Sequence, residues 1–196
     1  MKRKSSQKAN PTYHSERVTP LKEEGSRATP SVGVILGSAS DLPKVRAVFE
    51  TLDLFGVAYE TAVLSAHRTP HLVAEYAESA SRRGIKVIVG AAGLAAALPG
   101  ALAALVDIPV IGLPLSGGPV NGVDALLSVA DMPPGVPVAA LGVDSAKNAA
   151  LLALRILGLG DERIRRELEK ARKQAAKDVE AKSKALRAEG LPVWEP

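Results

Sequence analysis

Apolar and polar positions along this chain alternate between two kinds of run. Short runs rich in β-branched residues, Val32 to Leu36, Thr61 to Leu64, Ile85 to Gly90, Val110 to Leu115 and Val138 to Val143, predict five strands, the second of them buried. Between the strands, apolar residues recur at helical spacing. Val45, Val48, Phe49 and Leu52 form one such stripe, and Leu72, Val73, Tyr76, Ala77 and Ala80 a second. Asp124 to Val129 gives a third, and Ala146, Ala149, Ala150, Ala153 and Ile156 a fourth. The second stripe predicts a helix from Pro70 to the neighbourhood of Arg83-Gly84, where glycine suits a C-terminal cap. Strands that alternate with helices require right-handed crossovers and a parallel sheet. The fold class is therefore α/β, a three-layer α/β/α sandwich of about five strands.

The strand order expected of such a sandwich is close to flavodoxin-like. Beyond it, Asp161 to Ala188 changes character: charges cover most faces, and Ile164, Leu168, Ala171, Ala175, Val179 and Leu186 mark a narrow apolar stripe. That predicts a long helix with too little apolar surface to stand alone, one that packs across the domain or onto another subunit. At the other end, residues 1 to 31 are rich in Lys, Ser, Pro and Glu without apolar period, as in a disordered tail. The predicted organisation is a tail over 1–31, an α/β domain over 32–158, and a C-terminal helix and tail over 159–196.

Charge sharpens this division. Residues 1 to 30 carry seven Lys/Arg and three Asp/Glu, while the remainder carries 18 of each sign and is neutral. The net charge of +4 thus belongs to the tail, which has no nucleic-acid motif and no interleaved aromatics beyond Tyr13, so no nucleic-acid partner is expected. The chain has no cysteine, which excludes disulfides, thiolate nucleophiles and Cys-zinc sites, and fits a reducing compartment. No apolar stretch reaches the roughly 18 residues of a membrane helix, and the basic N-terminus runs into no apolar segment of the kind a secretory signal needs. Neither a membrane partner nor export is expected.

Candidate chemistry sits in two turns. Gly37-Ser38-Ala39-Ser40-Asp41 follows the first strand and precedes a helix opened by Leu42-Pro43, with Ser40 or Asp41 as its cap. Such a turn offers free backbone N–H groups and a helix dipole to a phosphate, although many strand-helix turns look alike. The second is Ser65-Ala66-His67-Arg68-Thr69-Pro70, with Thr69 as N-cap and Pro70 at the first helical position. It brings a hydroxyl, an imidazole and a guanidinium to the carboxyl end of a strand, the edge at which open α/β sheets bind ligands. An Arg clamps phosphate or carboxylate, and a His moves a proton near neutral pH. The glycine- and alanine-rich stretch Ala91 to Ala104 permits either tight helix packing or close approach of backbone to a ligand.

Taken in order and spacing, the Gly37 to Asp41 turn, the Ser65 to Pro70 motif, Gly93 to Gly100 and the proline turn Met132 to Pro137 resemble the class I N5-carboxyaminoimidazole ribonucleotide mutases of purine biosynthesis. The resemblance covers roughly Val32 to Leu157. It implies a flavodoxin-like fold, an octamer in which C-terminal helices reach neighbours, a small ribonucleotide substrate, and no metal or organic cofactor. It also implies a cytoplasmic enzyme paired in function with an ATP-dependent N5-carboxylating enzyme. The reaction would move a carboxylate from N5 to C4 of the aminoimidazole ring by decarboxylation and recapture. His67 matches the family's proton-transfer residue. Ser38, Ser40 and Asp41 match the residues that hold ribose and phosphate, and Arg68 matches the phosphate-binding arginine. Ser65 and the backbone around Ala92-Gly93 would line the ring and carboxylate site. One position departs: Ala97 stands where the family has a second active-site histidine, and neither His14 nor His71, expected to face solvent, replaces it. Two alternatives accompany this departure, direct carboxylation of aminoimidazole ribonucleotide by carbon dioxide and a degenerate nucleotide-binding homologue.

Overall fold

The computed structural model describes residues 29–194; of the tail predicted over 1–31, residues 1–28 lie outside the described residues. Five parallel strands, β1 (Val32–Leu36), β2 (Tyr59–Val63), β3 (Val87–Gly93), β4 (Val110–Leu115) and β5 (Ala139–Ala140), form one sheet in the order β2-β1-β3-β4-β5. This is the flavodoxin-like order. The central strands β1 and β4 are buried along their whole length, which is why they read as unbroken apolar runs.

Helices α1 (Leu42–Leu54) and α5 (Ala146–Leu157) cover one face of the sheet, packed against each other. Helices α2 (Pro70–Ala80), α3 (Ala97–Ala103) and α4 (Val123–Ala130) cover the other. Close helix-sheet contact depends on small residues. A Cβ on Gly112 of β4 would lie 2.2 Å from Val129 Cγ1 and 2.9 Å from Val138 Cγ1, so only glycine lets α4 and the segment before β5 seat there. Gly84 ends the α2 region at φ 95°, in the left-handed conformation expected of a cap.

The strands differ from expectation where neighbours, not local sequence, decide. The run predicted as a buried strand at Thr61 to Leu64 is the sheet edge: among the described residues β2 pairs only with β1, and Val63 is exposed. Its β-branched residues have one covered face, which a short run does not reveal. β3 begins two residues later than predicted and runs on through Ala91 to Gly93 along β4. The fifth strand shrinks to Ala139–Ala140 because the chain turns away beyond it, through Asp144 at φ 55°. Short edge strands of this kind leave little unpaired backbone.

At the chain's amino end, Ser31 is already tied in, its N–H donating to Ala58 O (2.9 Å) and its carbonyl accepting from Lys86 N (2.9 Å). Helix α6 (Glu162–Ala188) is the long charged helix the pattern predicts, capped by Asp161, whose carboxylate accepts from the N–H groups of Arg163 and Ile164. Only Ile164 of α6 is buried; Val179 and Leu186 are exposed. Among the described residues, no helix is long and apolar enough to cross a membrane.

Candidate active site

The carboxyl ends of β1, β2, β3 and β4 open on one cavity of about 540 Å³, within the usual range for small-molecule sites. Every site residue expected from the sequence lines it: Ser38, Ser40, Asp41, Ser65, His67, Arg68, Ala92 and Gly93. His71 does not; it is exposed on the first turn of α2. A second cavity of about 340 Å³ lies at the opposite sheet edge and contains none of the motif residues.

The turn after β1 holds its own hydroxyls. Ser38 Oγ accepts from Ser40 N (3.3 Å) and lies 2.8 Å from Ser40 Oγ, so Ser38 caps the short 3₁₀ turn that precedes α1. Asp41, as the sequence allows, occupies the cap position of α1 itself; it makes no side-chain cap bond there and lines the cavity. Burial pushes the Asp41 carboxyl up; the Lys44 ammonium and a hydrogen bond from the Ser38 backbone pull it part of the way back.

The turn after β2 is closed by Thr69 in a way the sequence does not predict. Thr69 sits at the N-cap of α2, yet its hydroxyl makes no cap bond. Instead Thr69 Oγ1 accepts from Ser65 N (3.0 Å) and donates to Ser65 O (3.2 Å), while Thr69 N donates to the same carbonyl (2.8 Å). The loop Ser65 to Thr69 is thereby pinned at both ends, and His67 and Arg68 project from its crest. Ser65 Oγ accepts from Arg68 N (3.2 Å) and Arg68 Nε (3.3 Å), and Arg68 Nη2 donates to Gly37 O (3.2 Å). The guanidinium thus bridges the two motif turns. His67 is exposed and has no hydrogen-bond partner among the described residues, so its ring is available to a ligand.

The stretch Ala91 to Ala104 packs tightly at some residues and lines the cavity at others. A Cβ on Gly90 would press within 3.3 Å of Leu102 and Pro99, which is tight packing. Ala92, Gly93, Leu94, Ala96 and Ala97 line the cavity instead, and Leu94 turns the chain at φ 54°. Ala97 opens α3 with a methyl group at the wall, and among the described residues His67 is the one imidazole that lines the cavity. Ser116, Gly117 and Gly118, after β4, complete the lining; the sequence marks them as a glycine-rich loop without assigning them to the site. Their signal is position, since a loop after a central strand must reach the same sheet edge. Among the described residues, no three His, Asp or Glu side chains gather as a metal-ligand set.

Hydroxyl, imidazole and guanidinium groups thus converge on the switch-point edge of a flavodoxin-like sheet, where α/β proteins of this class bind small molecules. The chain belongs to the AIR carboxylase family, whose family model matches residues 31–178. It is 49% identical over 166 residues to the N5-carboxyaminoimidazole ribonucleotide mutase of Pyrococcus horikoshii, a match covering 85% of this chain and 92% of that protein. The mutase of the same name from Thermotoga maritima is 45% identical over 157 residues, covering 80% of this chain and 92% of that one. Among solved structures, Treponema denticola PurE superimposes with a TM-score of 0.72 at 30% identity, over 80% of this chain and 98% of that one.

Proposed function

We propose that this protein is an N5-carboxyaminoimidazole ribonucleotide mutase of purine biosynthesis, yielding 4-carboxy-5-aminoimidazole ribonucleotide. The observation that carries the reading is the Ser65–Thr69 loop, pinned by Thr69, which presents His67 and Arg68 to the cavity that also takes in the Gly37–Asp41 turn.

In the reaction the bond from N5 to the carboxylate carbon breaks, giving carbon dioxide and aminoimidazole ribonucleotide. C4 then attacks the carbon dioxide, and its hydrogen leaves as a proton. One proton arrives at N5 and one departs from C4, so a single imidazole, His67, serves both transfers. The balance asks for no second histidine, which is consistent with Ala97 at the wall. Arg68 grips the phosphate with its planar fork. Ser38, Ser40 and Asp41 hold phosphate and ribose, and Ser65 with the Ala92-Gly93 backbone borders the ring and migrating carboxylate. Holding carbon dioxide beside C4 replaces a bimolecular encounter with a local one.

The decisive assay offers two substrates separately, the N5-carboxylated nucleotide without bicarbonate and aminoimidazole ribonucleotide with abundant carbon dioxide. Efficient conversion of the first is expected. Turnover of the second alone would make the protein a direct carboxylase, and silence with both a binding homologue.

The family resemblance and the exposed Val179 and Leu186 on α6 support a homo-octamer in which α6 packs on a neighbouring subunit. Sedimentation of the full chain should give an octamer mass; a monomer would remove the assembly from the reading. The enzyme is assigned to the cytoplasm and takes its substrate from an ATP-dependent N5-carboxylating enzyme. Fractionation and a coupled assay with that enzyme test these two assignments.

A further inference from the structure

One side chain outside the cavity lining connects two of its walls. Lys44, on the first turn of α1, sends its Nζ to donate a hydrogen bond to the carbonyl of Ser116, 72 residues away and just past β4. The N–H of the same Ser116 donates to Asp144 Oδ1 (2.9 Å). Both polar groups of one residue's backbone are therefore held by side chains of opposite charge from different parts of the chain. Asp144 is itself fixed, at φ 55°, with its N–H on Pro114 O (3.0 Å).

The two glycines after Ser116 have no stiffness of their own. Gly117 and Gly118 adopt φ values of 152° and 62°, and both line the cavity. They nevertheless lie close to the β3 turn: a Cβ on Gly118 would lie 2.6 Å from Leu94 Cδ2, and one on Gly93 3.3 Å from Leu115 O. This glycine wall thus packs on the Leu94 side chain, next in the chain to Gly93, whose backbone in the proposed function borders the migrating carboxylate.

We infer that Lys44 and Asp144 are positioning residues that clamp the Ser116 peptide, and through it hold the Gly117-Gly118 wall closed while carbon dioxide lies between N5 and C4. The inference rests on the mutase reading for its chemistry and on the clamp geometry for its structure, and each part has its own measurement. A flexible wall would let carbon dioxide escape before recapture. The mutase would then leak, releasing aminoimidazole ribonucleotide and exchanging its carboxylate with bicarbonate.

Lys44→Met keeps the aliphatic stem and removes the ammonium; Lys44→Arg restores a cation. In amide hydrogen exchange, Lys44→Met should speed exchange of the Ser116 amide, whose N–H is held by Asp144, at least tenfold with little change in melting temperature, and Lys44→Arg should recover most of the protection. Unchanged exchange would overturn the clamp whatever the substrate proves to be. With substrate labelled in its carboxylate and unlabelled bicarbonate in solution, the parent should keep its label in the product, whereas Lys44→Met should lose several-fold more. Faster exchange with full retention of label would leave the clamp standing and overturn its role in holding carbon dioxide. A parent that fails to convert the labelled substrate while the exchange result holds would overturn the mutase reading and the carbon dioxide role with it.

Discussion

His67→Asn should lower kcat by about 10²- to 10⁴-fold, the usual contribution of a positioned acid-base group, while nucleotide binding stays within a few-fold of the parent. Asparagine fills much of the imidazole's space and retains a hydrogen-bond donor, but it cannot take up and return a proton at neutral pH. His67 is exposed and unpartnered on the loop that Thr69 pins, so the substitution disturbs neither core nor turn. Turnover measured beside a titration of the product separates the two quantities. Loss of binding in parallel with turnover would make His67 a ligand contact instead of the proton carrier. Retained turnover would return the proton to solvent or to the substrate itself.

How much of the fold and site is legible in the sequence depends on the range over which each feature is determined. β1 and β4 are recognisable because burial on both faces forces an apolar run, and α5 because its alanines repeat at helical spacing against the sheet. The edge position of β2 is not, since a five-residue run says nothing of how many neighbours it has. The site turns are legible for a topological reason: in a parallel sheet, every loop that leaves the carboxyl end of a strand reaches the same edge. Hence Ser38, Ser40, Asp41, Ser65, His67 and Arg68 can be gathered before their distances are known.

The roles of individual hydroxyls are less legible. Thr69 occupies a cap position yet bonds Ser65, because two side-chain-to-backbone arrangements compete at such turns and the loop geometry selects one. The clamp on Ser116 is invisible in the sequence, since Lys44 and Asp144 lie in different elements and share no local pattern with it. Ala97 shows the converse. The family resemblance marks the missing imidazole at once, but only the structure shows that Ala97 lines the cavity wall, with His67 the one ring there among the described residues.

Arg68→Ala should raise the dissociation constant for the ribonucleotide about 100-fold, as expected when charge-assisted hydrogen bonds of about 1.5–3 kcal/mol apiece are lost. The guanidinium has a second task within the fold, joining Ser65 Oγ and Gly37 O across the two turns. Those bonds are exposed and of neutral acceptors, so their loss should shift the melting temperature little. The corresponding ribonucleoside, which lacks the phosphate, separates these tasks. If Arg68 acts on the phosphate, variant and parent bind the ribonucleoside alike, and the 100-fold gap appears only with the nucleotide. If Arg68 acts by holding the turns together, both ligands weaken in proportion. Arg68→Lys should recover part of the nucleotide affinity as a point charge but not all of it, because a lysine has no planar fork for a dianion. Equal nucleotide affinity in all three proteins would assign the phosphate to the hydroxyls and backbone of the Gly37–Asp41 turn alone.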